Sequence, residues 1–274
     1  MPLESRGFQP RNSRSFQLEL QIATRTHSAR RTNSNLRDLR RDLKAAADPK
    51  RAKASLWFFK TGKGQYGEGD RFLGMTAAVL RRILLRYRDL RLSDIERLLC
   101  SPIHEHRSAG FEILVAQYER GNDAQRERIF RFYLRHTRCA NNWDLVDASA
   151  PYIVGEHLKT RPRDLLDRLA GSTLLWERRI AIVSTLMLIK SGQIEDTFRI
   201  AEKLLSDPHD LIHKAVGWAL RETGKVSPDA LLGFLQKHYA QIPRTALRYA
   251  IERFPAAQRK QILAGKFQRK AAHT

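Results

Sequence analysis

Apolar residues recur at the spacing of a helical stripe almost without interruption from about residue 76 of this 274-residue chain. Two stripes illustrate the i, i+3, i+4, i+7 pattern, in which one face of a helix is apolar. They comprise Leu80, Ile83, Leu84 and Tyr87, and Phe111, Leu114, Val115 and Tyr118. Only residues 72–74 have the composition of a short extended segment. The pattern predicts roughly ten to twelve helices of about 10–17 residues.

Glycine, proline and capping residues divide this helical region into short segments. Glycine just beyond an apolar stripe is typical of a helix end, and proline favours the first helical position. The segment from Ser93 to Glu96 has the spacing of a capping box and predicts a helix start. The predicted ends lie at Gly121, Gly171, Gly192 and Gly224, and the predicted proline starts lie at Pro162, Pro208 and Pro228.

The chain carries 50 Lys and Arg against 29 Asp and Glu, which gives a formal net charge of +21. An excess of this size indicates a polyanionic partner, nucleic acid first and an anionic membrane surface second. Residues 1–41 hold nine Arg and three acids, a net of +6, and residues 241–274 hold eight basic residues and one acid, a net of +7. The ends therefore carry 13 of the 21 charges. Two interpretations stay open: these charges contact phosphates without regard to DNA sequence, or they only aid solubility.

Short connections force consecutive helices to lie antiparallel, and helical hairpins that recur every ~35–40 residues stack into a solenoid. We therefore predict an all-α fold, an α-α superhelix of HEAT-like repeats with a concave basic face. The charge distribution predicts three segments. They are a basic arm over residues 1–41, a repeat domain over residues 42–260 and a basic tail over residues 261–274.

Other features bound the class of protein. No run approaches the ~18 apolar residues of a transmembrane helix, and the N-terminus lacks the apolar core of a signal peptide. Its Arg- and Ser-rich composition also suits an organellar transit peptide, although a basic arm is the preferred interpretation. Two cysteines without a CxxC pair fit a reducing compartment and predict neither a disulfide scaffold nor a metal site. We expect a cytoplasmic, nucleoid-associated protein that needs no cofactor.

Residues 60–70 form a glycine-rich segment of different character. Four glycines occur within eight residues, but the GxxxxGK[ST] order of a phosphate loop is absent and no apolar strand precedes it. We expect an irregular loop and no nucleotide cofactor. Two interpretations stay open, a phosphate contact through backbone amides with Lys60 and Lys63, or a purely structural turn.

Three tryptophan-centred clusters are the candidates for chemistry. Trp143 and Asp147 lie four residues apart, so they project from one helical face. Trp176 precedes Arg179 by three residues, and Trp218 lies in a third cluster. Composition alone favours a structural interpretation, with tryptophans in the core and an Asp–Arg salt bridge.

The three clusters, in this order and at these separations, resemble the signature segments of the bacterial alkylpurine DNA glycosylase D family. The segments are Trp143-Asp144-x-Val146-Asp147, Trp176-x-x-Arg179 and Lys214-Ala215-x-Gly217-Trp218-x-Leu220-Arg221-Glu222. The resemblance covers about residues 50–255. It implies a solenoid of six HEAT-like repeats that holds duplex DNA. It also implies hydrolysis of the N-glycosidic bond of cationic purines alkylated at ring atoms N3 or N7.

Carried over position by position, the resemblance implies that Asp147 is the catalytic carboxylate. It also implies that Arg179 lies beside Asp147 and contacts the DNA backbone. Trp143 and Trp218 correspond to the aromatic residues that line the deoxyribose of the lesion. A purine that is already cationic leaves without a general acid, while a carboxylate beside the sugar stabilises the developing cation and orients water. Electron-rich indole faces favour the same cation.

Asn142 stands where the family often has tryptophan, and the family's early aromatic residue corresponds to Trp57 or Phe58. The resemblance implies a monomer with double-stranded DNA as its partner, and a base that is not flipped into a pocket. Two alternatives stay open, a non-catalytic or structure-selective relative that binds branched DNA, and a HEAT-type protein scaffold.

Overall fold

The computed structural model describes residues 35–267, which belong to one compact unit beginning at Asn35. These residues form fourteen helices, counting one interrupted helix as a single element, and one short 3-10 helix at Thr137–Cys139. Outside the helices, the described residues contain an isolated β-bridge between Arg71 and Ile103, which belongs to no strand. The predicted all-α fold is therefore confirmed. The predicted basic arm and tail lie largely outside the described residues, and the first helix spans residue 41.

We number the helices in chain order. The first six are α1 (Leu36–Ala45), α2 (Pro49–Phe58), α3 (Ala77–Leu84), α4 (Leu92–Leu99), α5 (His104–Arg120) and α6 (Asp123–Arg135). Helix α7 starts as Trp143–Ala150, continues as a π-helix over Pro151–Gly155 and ends with Glu156–Leu158. The others are α8 (Asp164–Ala170), α9 (Leu175–Lys190), α10 (Glu195–Leu204), α11 (Asp210–Val226), α12 (Pro228–Lys237), α13 (Arg244–Ala250) and α14 (Ala256–Leu263).

The helices stack in two layers. The first layer contains α3, α5, α7, α9, α11 and α13, and each helix packs against the next one in that order. The second layer contains α4, α6, α8, α10 and α12, and each packs against one or both of its neighbours in the chain. A row of stacked helix pairs is a superhelical repeat, as predicted. None of the described helices combines the length and the apolarity of a membrane span.

Some of the predicted helix ends are confirmed and others are wrong. The capping box at Ser93 does not form, because α4 starts one residue before it, at Leu92. Pro162 and Pro208 lie in the connecting loops, two residues before α8 and α11 start. The confirmed ends are Gly121, Gly171, Gly192 and Pro228.

Close packing explains two glycines inside helices. Gly224, predicted as a helix end, lies within α11, and a Cβ there would be 2.5 Å from Leu231 Cδ2 in α12. Gly155 lies in the π-helical part of α7, and a Cβ there would be 2.3 Å from the Ser184 carbonyl oxygen in α9. Glycine therefore allows α7 and α9 to approach each other closely.

Gly155→Ala should lower the free energy of unfolding by about 1–3 kcal/mol, because the new methyl group meets backbone rather than a mobile side chain. Gly233→Ala is the matched control, since Gly233 also lies within a helix but has no heavy atom within 4 Å of an added Cβ. The control should be neutral or stabilising by up to ~1 kcal/mol, the difference in helix propensity. Urea unfolding measures both values. Equal stabilities would show that α7 and α9 tolerate a wider separation.

Candidate active site

A buried ion pair joins α7 to α9. Arg179 donates from Nε to Asp147 Oδ1 and from Nη2 to Asp147 Oδ2, both over 2.8 Å. It also donates from Nη1 to the carbonyl oxygen of Leu211, at the start of α11, over 2.7 Å. Asp147 is 3% exposed and Arg179 is 5% exposed. The pair therefore links three consecutive helices of the first layer.

The surroundings of Asp147 determine its charge state. Burial raises the pKa of the Asp147 carboxyl above its ordinary value, although the charge and hydrogen bonds of Arg179 oppose that rise. Both carboxyl oxygens accept hydrogen bonds from a guanidinium group, which does not deprotonate in proteins. The geometry is that of an ionised carboxylate paired with a permanent cation.

Aromatic side chains from three parts of the chain meet at Trp143, one helical turn before the aspartate of the ion pair. The ring centroids of Phe58 and Phe59 lie 5.8 Å and 5.6 Å from that of Trp143. The Trp143 indole lies close enough to the Tyr66 hydroxyl to lower its pKa, and the Tyr66 ring lies edge-on to Trp176, with 6.0 Å between centroids. Because Trp176 lies one turn before the arginine on α9, this aromatic cluster borders the ion pair on both helices.

Tyr66 is the site residue that sequence reasoning missed. It lies in the glycine-rich segment, whose turn is closed by a hydrogen bond from the Gly67 amide to the Lys60 carbonyl oxygen over 3.1 Å. A Cβ at Gly67 would be 2.3 Å from the Phe59 carbonyl oxygen, so glycine is required for that closure. Burial raises the pKa of the Tyr66 hydroxyl, which is therefore neutral at physiological pH. The density of glycine is the sequence signal that indicates a tightly shaped loop here.

The remaining predicted contact residues lie at or near this cluster. Of the two early aromatic residues, Phe58 contacts Trp143, whereas Trp57 is 71% exposed. Lys60 places its Nζ 4.8 Å from the centre of the Trp57 ring, and Lys63 is exposed on the glycine-rich segment.

Trp218 has a different environment from the other predicted aromatic residues. It lies on α11, one turn beyond Lys214 on the same helical face, and is half-buried against the apolar core. Lys214 is close enough to Tyr66 for its charge to lower the pKa of that hydroxyl. The structure thus places Lys214, one turn before Trp218, near the glycine-rich segment.

A second buried network lies behind Asp144, the residue after Trp143. His104, at the start of α5, contacts Asp144 Oδ2 through Nε2 over 2.8 Å and Asp70 Oδ2 through Nδ1 over 3.1 Å. Arg107 donates to Asp70 Oδ1 over 2.6 Å. Since Asp70 ends the glycine-rich segment, the network ties that segment to α5 and α7.

Opposing influences set the pKa values in this network. Burial lowers the pKa of His104, but the carboxylates of Asp144 and Asp70 outweigh it and raise that pKa to about 9. Burial alone would raise the pKa of Asp70, but the hydrogen bond from His104 and the charge of Arg107 bring it below its ordinary value. His104 is therefore a cation at neutral pH, and both of its ring N–H groups donate to carboxylates.

The chemistry that these groups offer is stabilisation of positive charge. Asp144 and Asp147 lie three residues apart on α7, bordered by electron-rich rings. A fixed carboxylate and an aromatic face both favour a cation that develops beside them. Across residues 35–267 no group of three or more His, Cys, Asp and Glu side chains has the arrangement of a metal site.

The fold and the site define an all-α superhelical repeat protein with a carboxylate-bearing aromatic site on its first layer of helices. A family described as DNA alkylation repair enzyme matches residues 39–254, which is most of the chain. The chain belongs to this family, so its broad role is in DNA repair and the predicted resemblance is confirmed.

Comparison of structures shows the same fold. A predicted DNA alkylation repair enzyme from Enterococcus faecalis is similar with a TM-score of 0.59 and 19% sequence identity. The similarity covers 77% of this chain and 97% of that one. A search of curated proteins finds no match to the chain.

Replacing His104 should reduce stability in a pH-dependent way. Its folded-state pKa of about 9, against an ordinary value of 6.5, means that protonated His104 stabilises the fold. That contribution is fully present below the ordinary pKa and is lost as the pH rises through the folded-state pKa. The Tm of the wild-type protein minus that of His104→Gln should be largest near about pH 6 and should shrink by about pH 10.

His157→Gln is the matched control for this measurement. His157 is also buried beside a carboxylate, but burial lowers its pKa. The difference in Tm from this substitution should stay constant between about pH 7 and pH 10. A pH-independent difference for His104→Gln would contradict a cationic His104.

Proposed function

We propose that this protein is a DNA glycosylase that hydrolyses the N-glycosidic bond of cationic purines, alkylated at N3 or N7, in duplex DNA. The observation that carries the proposal is the Asp147 carboxyl group, held through both oxygens by Arg179 one helical turn from Trp143. Membership of the DNA alkylation repair enzyme family supplies the broader context. A carboxylate beside an indole suits a reaction whose transition state is a sugar cation.

The leaving group explains why no general acid is needed. An alkylated purine that is already positive takes the bonding electron pair without first receiving a proton. Positive charge then develops on the deoxyribose, and Asp147 stabilises it in a buried environment where charges interact strongly. Trp143 favours the same cation through its ring face. In this proposal Trp218 and Phe58 complete the aromatic wall around the lesion.

Duplex DNA would lie along the first layer of helices, whose concave face we assign as the binding surface. Arg179 uses three of its five N–H groups on Asp147 and Leu211. The other two can donate to a backbone phosphate. Lys60 and Lys63 add positive charge on the glycine-rich segment, and the net charge of +21 attracts the polyanion as a whole.

A second candidate function is structure-selective DNA binding without catalysis. The observation that favours it is the closure of the ion pair, since Asp147 is only 3% exposed and gives both oxygens to Arg179. A pair of this kind would serve only to join α7 to α9. Base excision separates the two functions, because a binding protein leaves the N-glycosidic bond intact.

Asp147→Asn should slow excision of N7-methylguanine from duplex DNA by roughly 10- to 1000-fold, about 1.4–4 kcal/mol of transition-state stabilisation. The substitution keeps the size of the side chain and removes the charge that the sugar cation requires. Single-turnover rates, normalised to folded protein, measure the effect. Affinity for undamaged duplex should not weaken, because a negative charge facing phosphates has been removed.

Asp207→Asn is the matched control. Asp207 is buried and accepts a hydrogen bond from Arg178, the neighbour of Arg179, but takes no part in the aromatic cluster. The control should lower Tm and leave excision unchanged. Wild-type excision by a folded Asp147→Asn variant would show that the catalytic assignment is wrong. A wild-type protein that excises no cationic alkylpurine would favour structure-selective binding.

Log affinity for duplex DNA should fall steeply with log salt, by about 0.9 for each neutralised phosphate. Lys60→Ala and Lys63→Ala should each reduce that slope by about 1 if these lysines contact phosphates. Lys237→Ala is the control, because Lys237 lies on α12 in the second layer, 3.4 Å from Glu202. Fluorescence anisotropy over a range of salt concentrations measures the slopes. Unchanged slopes for Lys60→Ala and Lys63→Ala would assign the glycine-rich segment to a purely structural turn.

A further inference from the structure

We propose that Asp144 is a second catalytic carboxylate, which binds the attacking water and accepts its proton while Asp147 stabilises the sugar cation. This assignment rests on the proposed glycosylase function. It divides between two residues the roles that the family resemblance gives to Asp147 alone. The hydrogen bonds of the two carboxylates are the reason for the division.

The two carboxylates differ in what they can still bind. Both oxygens of Asp147 accept hydrogen bonds from Arg179, and its side chain is 3% exposed. In Asp144, Oδ2 accepts a hydrogen bond from His104, and the side chain is 23% exposed. The other oxygen, Asp144 Oδ1, is buried and accepts no hydrogen bond from the residues that the structure describes.

An unpaired carboxylate oxygen in this position requires an explanation. Buried polar atoms are nearly always hydrogen bonded, and an orphaned acceptor destabilises a fold. A water molecule can donate to Asp144 Oδ1 where no protein group does. Tyr66 lies close enough for the Asp144 carboxylate to raise the pKa of its hydroxyl. The Asp144 carboxyl group therefore lies near the aromatic cluster.

The spacing of the two carboxylates suits a shared substrate. Asp144 and Asp147 lie three residues apart on α7, which places their side chains at neighbouring positions of one helical face. They are near enough for the charge of Asp144 to contribute to the raised pKa of Asp147. A deoxyribose beside Asp147 thus has the second carboxylate within reach of one bridging water.

The reaction needs no group other than the water molecule, the alkylated nucleotide and the Asp144 carboxylate. The water oxygen forms a bond to the sugar C1′ as the bond from C1′ to the purine nitrogen breaks. The bonding electron pair moves to the purine and neutralises its positive charge, and the water proton passes to Asp144 Oδ1. The products are a neutral alkylpurine and an abasic sugar, after which Asp144 releases its proton to solvent.

Both carboxylates can act from one side of the sugar because the leaving group needs no acid. In glycosidases that act on neutral sugars, two carboxyl groups flank the bond and one of them protonates the leaving oxygen. A cationic purine removes that requirement. One helix can therefore supply the stabilising charge and the base.

His104 is a positioning residue in this scheme. It donates to Asp144 from one ring nitrogen and to Asp70 from the other, while Arg107 holds Asp70. The network fixes the plane of the Asp144 carboxyl group and places the His104 cation beside it. A general base needs both the geometry and the negative charge.

The test is single-turnover excision of N7-methylguanine from duplex DNA by the full chain, normalised to folded protein. Asp144→Asn removes the base and keeps its shape, so we expect a loss of roughly 100-fold or more. Glu127→Gln is the matched control, because Glu127 also contacts a buried histidine, His157, over 3.2 Å. The control should retain the wild-type rate. Neither substitution should weaken binding to undamaged duplex.

Rescue by formate distinguishes a base from a structural residue. Asp144→Ala opens space for a small carboxylate. Added formate should raise the excision rate of this variant roughly tenfold, whereas chloride at equal ionic strength should leave the rate unchanged. Wild-type excision by Asp144→Asn, or no response of Asp144→Ala to formate, would overturn the assignment and leave the glycosylase activity of the wild type standing. A wild-type protein without excision would overturn the proposed function itself.

A double substitution tests the role of His104. His104→Gln should slow excision roughly tenfold in the wild-type protein and should cause no further loss in the Asp144→Asn background. This non-additivity is expected because His104 acts through Asp144. Equal fractional losses in both backgrounds would show that His104 only stabilises the fold.

Discussion

The ion pair between Arg179 and Asp147 fixes three helices relative to one another, and the rest of the site is arranged around it. Burying two charges costs more than their attraction returns unless hydrogen bonds complete the pair. Here two bonds join the side chains and a third reaches the Leu211 carbonyl oxygen, so α7, α9 and α11 share one anchor. Apolar residues of similar volume often give equal or greater stability. Stability alone therefore does not account for charged residues in this position.

The second network gives the glycine-rich segment a fixed place beside that anchor. Asp70, four residues after Tyr66, is held by His104 and Arg107. The Gly67 amide, directly after Tyr66, donates to the Lys60 carbonyl oxygen and ties this part of the loop to the start of the segment. A loop restrained at both ends can present one tyrosine to the tryptophans of α7 and α9. The four glycines of the segment allow its backbone to follow this tight course. They are not the glycines of a phosphate loop.

How much of this the sequence predicts depends on the range of the interactions involved. Helical periodicity predicts the all-α repeat because a stripe is a property of residues a few positions apart. Gly224 resembles a helix end, but its role is set by Leu231 in the next helix, which no local pattern shows. The contacts of His104 span 34 and 40 residues along the chain, and they escape sequence reasoning for the same reason. Resemblance to a family places Asp147 and Arg179 together because it carries information about such distant pairs.

The proposed catalysis accounts for the charges at the site better than plain DNA binding does. Two neighbouring networks hold three carboxylates and three cations, namely Asp147 with Arg179, and Asp70 and Asp144 with His104 and Arg107. A surface that only holds phosphates gains nothing from buried acids beyond the helix contacts that they make, since each one reduces the attraction for a polyanion in a chain of net charge +21. A site that stabilises a sugar cation does need them. The excess of Lys and Arg elsewhere can attract DNA, while carboxylates placed beside the sugar act on charge that appears only in the transition state.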